Sequence, residues 1–142
     1  MLNELRVGEF VAALGERTPA PASGAATALT GALAAALTEL AARFADDDDT
    51  ITQAKALGTR LLELADEDTA AYTAFMADRN DATRARIIDV PEQIAARAEE
   101  VAALADGVRA RLSTKVAGDA EAAVELARAA ARVARRLAEL NV

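Results

Sequence analysis

The chain has 142 residues, a length that suits one domain built on one hydrophobic core. Its net charge is −7 and it holds neither cysteine nor histidine. That excludes disulfides, thiolate nucleophiles, thiolate or imidazole metal ligation and imidazole acid/base chemistry, leaving proton transfer to carboxylates, Lys55, Lys115 and Tyr72. No basic face is broad enough to neutralise a phosphate backbone, so no nucleic-acid partner is expected.

Hydrophobic residues make up 53% of the chain, but alanine dominates them and only Phe10, Phe44, Tyr72 and Phe75 supply aromatic bulk. Alanine is the best helix former and lets helix axes approach closely, while the alternating β-branched runs of a sheet are absent. The first apolar stripe, Val7, Phe10, Val11 and Leu14, has helical spacing and stops before Gly15. Glu4, Arg6 and Glu9 interrupt Met1–Leu14, which makes it unlike a secretory leader. Pro19, Pro21 and Gly24 make the stretch from Arg17 to Gly24 a turn.

A second helix is predicted from about Ser23 to the aspartate run, with Leu29, Leu33, Leu37, Leu40 and Phe44 as its apolar stripe. Its most apolar part, Ala25–Leu37, is shorter than the roughly 20 residues a membrane span requires, and Glu39 and Arg43 follow it. It reads as a buried helix, so no membrane partner and a cytoplasmic address are expected. Asp46 to Asp49 lack the spaced ligands of a calcium loop and read as a solvated connection, so no metal is expected.

Asp49 or Thr50 can cap a third helix whose stripe runs Leu57, Leu61, Leu64, Asp68, Tyr72, Phe75. Asp68 thus places a carboxylate on a face that otherwise looks buried, where it must be paired, hydrogen-bonded or turned to a cavity. Asp78 to Ile88 is polar and reads as a connection, with a fourth helix opening at Asp89-Val90-Pro91 and following Ile94, Ala98, Val101, Leu104, Val108 and Leu112. Gly118 precedes Asp119, a good N-cap, and Ala123, Ala127, Ala130, Ala134, Leu137 and Asn141 trace the inner face of a last helix. Arg128, Arg132, Arg135 and Arg136 mark its solvent side. The predicted fold is all-α, an antiparallel bundle of about five helices in a single domain over residues 1–142, with apolar faces left over for a symmetric homodimer.

The segment from Pro19 to Leu37 resembles the signature of the cyclodeaminase/cyclohydrolase family, which includes the deaminase half of formiminotransferase-cyclodeaminase. In that family a P-x-P-G-G-G-S turn opens an alanine-rich helix with an A-L-x-G-A-L core. Pro19, Pro21, Gly24, Ala28, Leu29, Gly31, Ala32 and Leu33 stand where that pattern puts them. Asp68-Thr-Ala-Ala-Tyr72 resembles the family's D-x-x-A-Y element, Lys115-Val-Ala-Gly-Asp119-Ala its N-V-x-S-D-A element, and Asn141 its final asparagine; Asp89-Val-Pro91 fits as well. The matches occur in order along nearly the whole chain. The departures are Ala22 and Ser23 for two glycines of the turn, Ala25 for the serine after it, Leu137 for an earlier asparagine, and a shorter connection between Tyr72 and Pro91.

The resemblance implies a helical homodimer acting on a tetrahydrofolate derivative as substrate. Such a protein either cyclises 5-formiminotetrahydrofolate with release of ammonia or hydrolyses the methenyl bridge. The alternative is a family member without turnover that serves as a folate-binding or scaffold protein. The catalytic candidates are Asp68 and Asp119; the substrate-binding candidates are Pro21, Ser23, Gly24, Tyr72, Lys115 and Asn141. A partly buried carboxyl suits delivery of a proton to a leaving amine, and a turn of small residues at a helix start lets a flat ring or a carboxylate approach backbone amides. Each candidate also has a structural reading: Asp119 as an N-cap, Asp68 as the partner of an arginine, Tyr72 as core with its hydroxyl satisfied, Asn141 as a helix end.

Overall fold

The computed structural model describes residues 1–142. A short turn at Leu2–Glu4 leads into α1 (Val7–Gly15), and four long helices follow: α2 (Ser23–Phe44), α3 (Asp48–Ala77), α4 (Asp81–Arg109) and α5 (Gly118–Asn141). No strand is present, and the all-α class is as expected. Short connections join α2 to α3 and α3 to α4, so successive helices run antiparallel. In the bundle α2 packs on α3, α4 and α5, with α4 completing contacts to α3 and α5.

The helix starts differ from the expected ones where local side chains cap the backbone. Asp47, not Asp49 or Thr50, caps α3, accepting hydrogen bonds from the Thr50 backbone N–H at 3.1 Å and from its hydroxyl at 2.6 Å. Asp47 also pairs with Arg111 just beyond α4, so the aspartate run joins two helix ends. Asp46 takes a positive φ of 53° to make the turn. The fourth helix does not open at Asp89–Pro91. Asn80 Oδ1 accepts the Thr83 N–H at 2.9 Å and Thr83 Oγ1 accepts the Asn80 N–H at 3.1 Å, a reciprocal cap that starts α4 at Asp81 and leaves Pro91 inside the helix. The last helix starts at Gly118 with Ala117 in the cap position, so Asp119 lies in the first turn rather than capping it.

The core also differs from expectation on α2. Its buried face is made of small residues, among them Ala25, Ala28, Gly31, Ala32, Ala35 and Ala42. Of the predicted stripe, Leu33, Leu40 and Phe44 point outward, exposed at 55%, 41% and 59%, while Leu29 and Leu37 are half-buried against the core. The small face brings α2 close to its neighbours: a Cβ at Gly31 would sit 3.2 Å from Leu61 Cδ1. Bulk comes from α3 and α4, whose Leu61, Leu64, Val90, Ile94 and Val101 are fully buried against the alanine faces. On α1 only Phe10 of the predicted stripe is buried, while Val7 and Val11 are exposed. At 22 residues, α2 is long and apolar enough to cross a membrane, contrary to the expected shortfall; in the fold it runs through the middle of the bundle.

Candidate functional site

One end of the bundle gathers the start of α2, the later turns of α3, the middle of α4 and the end of α5 around a cavity of 190 Å3. Its walls include Ser23 and Gly24 from α2, Asp68 and Tyr72 from α3, Pro91 from α4, and Leu137 and Asn141 from α5, with Pro19, Ala20 and Ala22 of the preceding turn. Five candidate residues, Ser23, Gly24, Asp68, Tyr72 and Asn141, spread over more than a hundred residues of sequence, thus meet in one place.

Asp68 is mostly buried, yet its carboxyl makes no hydrogen bond and no ion pair within the chain. The arginines of this stretch take its neighbour: Glu67 pairs with Arg60 at 2.6 Å and with Arg86 at 2.9 Å, and Arg60 also donates to Gln93 at 2.8 Å. The Arg60 hydrogen bond lowers the Glu67 carboxyl below its ordinary value. Asp68, one residue further round the helix, misses this outer network and faces the cavity. Burial alone then pushes its carboxyl up from 3.8 to about 6. The reading of Asp68 as the partner of an arginine does not hold.

Gly24 explains how that carboxyl fits. A Cβ at position 24 would collide with the Asp68 carboxyl carbon and both of its oxygens, so glycine leaves the space in which that carboxyl rests against the first turn of α2. This is the one glycine of the family's triple-glycine turn that the chain keeps. The first-turn amides of α2 have no intrahelical acceptor, and the helical ladder starts with Ala26 N–H donating to Ala22 O at 3.1 Å. Ala22 contributes no side-chain cap.

Tyr72 is half-buried, packs against the core and lines the cavity one turn after Asp68; its hydroxyl has no partner in the chain, so the core reading holds for the ring but not for a satisfied hydroxyl. Asn141 ends α5, as its structural reading had it, but its side chain also reaches across to α4, where Nδ2 donates to the Ile87 carbonyl at 2.9 Å. Pro21 belongs to the turn beside the cavity without forming its wall. Lys115 and Asp119 stand apart, exposed at the opposite end of α5, about 30 Å away at roughly 1.5 Å of rise per residue. Within one chain they do not meet Asp68.

Pro91 and Leu137 are cavity residues that the sequence pattern did not reveal as such. Pro91 read as a helix start, and Leu137 as a plain inner-face position. A larger surface depression of 360 Å3 lies between α4 and α5, lined by Glu92, Glu99, Arg135 and Glu139, where Glu99 pairs with Arg135 and Glu139 with Arg136. No cluster of three acidic side chains that could hold a metal ion is present.

The profile of the formiminotransferase-cyclodeaminase family matches residues 6–142. The chain belongs to that family. The match takes in every wall of the cavity, from the turn at Pro19 to Asn141. Among solved structures, formiminotetrahydrofolate cyclodeaminase from Thermotoga maritima superposes with a TM-score of 0.90 at 21% identity, covering 99% of this chain and 80% of that one. At that identity the likeness establishes a shared fold. No curated protein matches the sequence.

Proposed function

We propose that this family member acts on a one-carbon adduct of tetrahydrofolate, as a formiminotetrahydrofolate cyclodeaminase or a methenyltetrahydrofolate cyclohydrolase. The observation that carries the reading is the unpaired Asp68 carboxyl, held near pH 6 by burial and fitted against Gly24 at the mouth of α2. In cyclising deamination, N10 of the folate attacks the formimino carbon, the C–NH2 bond of the adduct breaks, and the departing nitrogen takes a proton to leave as ammonia. A carboxyl that holds its proton up to about pH 6 is suited to supply it, and the carboxylate left behind balances the cationic methenyl product. Tyr72 lies one helical turn away, placed to bear on a flat ring in the same cavity.

The cavity of 190 Å3 is below the roughly 300–1,000 Å3 usual for a ligand site, so it encloses the reacting end of a folate and not the whole molecule. A homodimer would extend it. The outward face of α2, with Leu33, Leu40 and Phe44, and the outer positions of α5, with Leu126, Val133 and Leu140, are apolar and unpartnered in one chain. We assign these faces to the contact between two copies. A second copy could also bring Lys115 and Asp119 to the site, the only way these two take part. The alternative of a scaffold without turnover is disfavoured by the retained pair of Asp68 and Gly24, which packing alone does not require.

The test is calorimetric titration with tetrahydrofolate. Saturable binding that weakens on Gly24→Ala supports the site; no binding at millimolar ligand by folded protein refutes it.

A further inference from the structure

The backbone ladder of α4 has one gap. Pro91 has no N–H, so the carbonyl of Ile87, one turn earlier, loses its helical donor. Ile87 is buried, and a buried carbonyl without a partner is costly. The missing donor comes from another helix, where Asn141 Nδ2 lies 2.9 Å from the Ile87 oxygen.

That contact decides the orientation of the amide. A carbonyl only accepts, so the nitrogen of Asn141 must face α4 and Oδ1 is the end left over. The last turn of α5 is held as well, because the Arg84 guanidinium donates to the Asn141 backbone carbonyl at 3.3 Å. Asn141 and Pro91 both line the cavity beside Asp68, and Asn141 Oδ1 accepts no hydrogen bond from the chain.

We propose that Pro91 is a positioning residue that orients Asn141, so that Asn141 Oδ1 presents a fixed acceptor to an N–H group of the ligand held against Asp68. The proposal rests on the folate reading above. A tetrahydropterin offers N–H groups on its ring and its exocyclic amine, and an amide locked in this sense receives them while disfavouring a ligand that brings a carbonyl to the same point. A free asparagine could turn to suit either; this one cannot.

The test uses the wild type, Pro91→Ala, Asn141→Ala and the double variant, with three readouts. The first is hydrogen exchange of the Asn141 side-chain amide by NMR in the free protein. It is slow in the wild type and at least about tenfold faster in Pro91→Ala, because the N–H restored at residue 91 takes the Ile87 carbonyl. The second is tetrahydrofolate affinity by calorimetry. Each single variant binds about fivefold more weakly, the scale of one hydrogen bond, and the double variant binds no worse than either single. The third is thermal melting, which establishes that each variant is folded at the temperature of the other two readouts.

Equal exchange in wild type and Pro91→Ala, single variants that bind like the wild type, or additive losses in the double variant would each overturn the proposal. A wild type that binds no folate would refute the functional reading instead, and the amide exchange would still decide whether Pro91 orients Asn141.

Discussion

Replacing Asp68 with asparagine separates the cost of this carboxyl from its use. The amide is nearly isosteric, so the packing against Gly24 is kept while the charge is removed. The folded carboxyl titrates at about 6 against an ordinary 3.8. The folded state therefore binds more protons than the unfolded state between those values, and its stability falls as pH rises through that window. At about 1.4 kcal/mol for each pH unit, the ionised group costs the fold about 3 kcal/mol above pH 6 and nothing below pH 4. Asp68→Asn should recover that amount, so urea denaturation at pH 8 should show a variant more stable than the wild type by up to about 3 kcal/mol, with the curves converging near pH 4. The same variant should lose turnover, and wild-type turnover should decline as pH rises past about 6 because the acid form is depleted. A variant that is less stable at pH 8, as loss of a buried ion-pair partner would make it, would refute the reasoning.

Further outcomes follow from the same geometry. Gly24→Ala would ordinarily favour a helix by roughly 0.5–1 kcal/mol, but here the new methyl displaces the Asp68 carboxyl, so turnover should drop at least about tenfold in a protein that still shows full helical circular dichroism. Asn80→Ala removes the cap of α4 and should cost about 1 kcal/mol by urea denaturation. The wild type should scatter light as a dimer at micromolar concentration, burying at least about 1,200 Å2 in total, and Leu33→Glu with Leu40→Glu should make it a monomer with its helix content intact.

Much of this architecture was legible in the sequence because helical periodicity and turn chemistry act locally. The turn at Pro19–Pro21, the start of α2 at Ser23 and the stripe of α3 through Asp68 to Phe75 were all visible before any coordinates. Other features depend on contacts that a local pattern does not carry. Large apolar residues usually face inward, yet the close packing of α2 needs alanine and glycine on the inside and leaves Leu33, Leu40 and Phe44 outside. The start of α4 was placed at Pro91 because proline favours first turns, but Asn80 and Thr83 cap the chain earlier, and the carbonyl that Pro91 orphans finds its donor at the far end of the sequence. A long-range rescue of that kind leaves no local signature. The site was half legible: Asp68, Tyr72, Gly24 and Asn141 do converge, whereas Lys115 and Asp119 lie at the opposite end of the chain's own bundle.

A turnover assay decides whether this chain is a folate one-carbon enzyme: purified protein is supplied with 5-formiminotetrahydrofolate, and methenyltetrahydrofolate is followed by its absorbance and ammonia by a coupled assay, with Asp68→Asn in parallel. The wild type should yield the two products in equal amounts or, if it is the cyclohydrolase of the pair, consume added methenyltetrahydrofolate instead, and Asp68→Asn should do neither. Wild-type protein that is folded, dimeric and inert toward both substrates would contradict the folate reading.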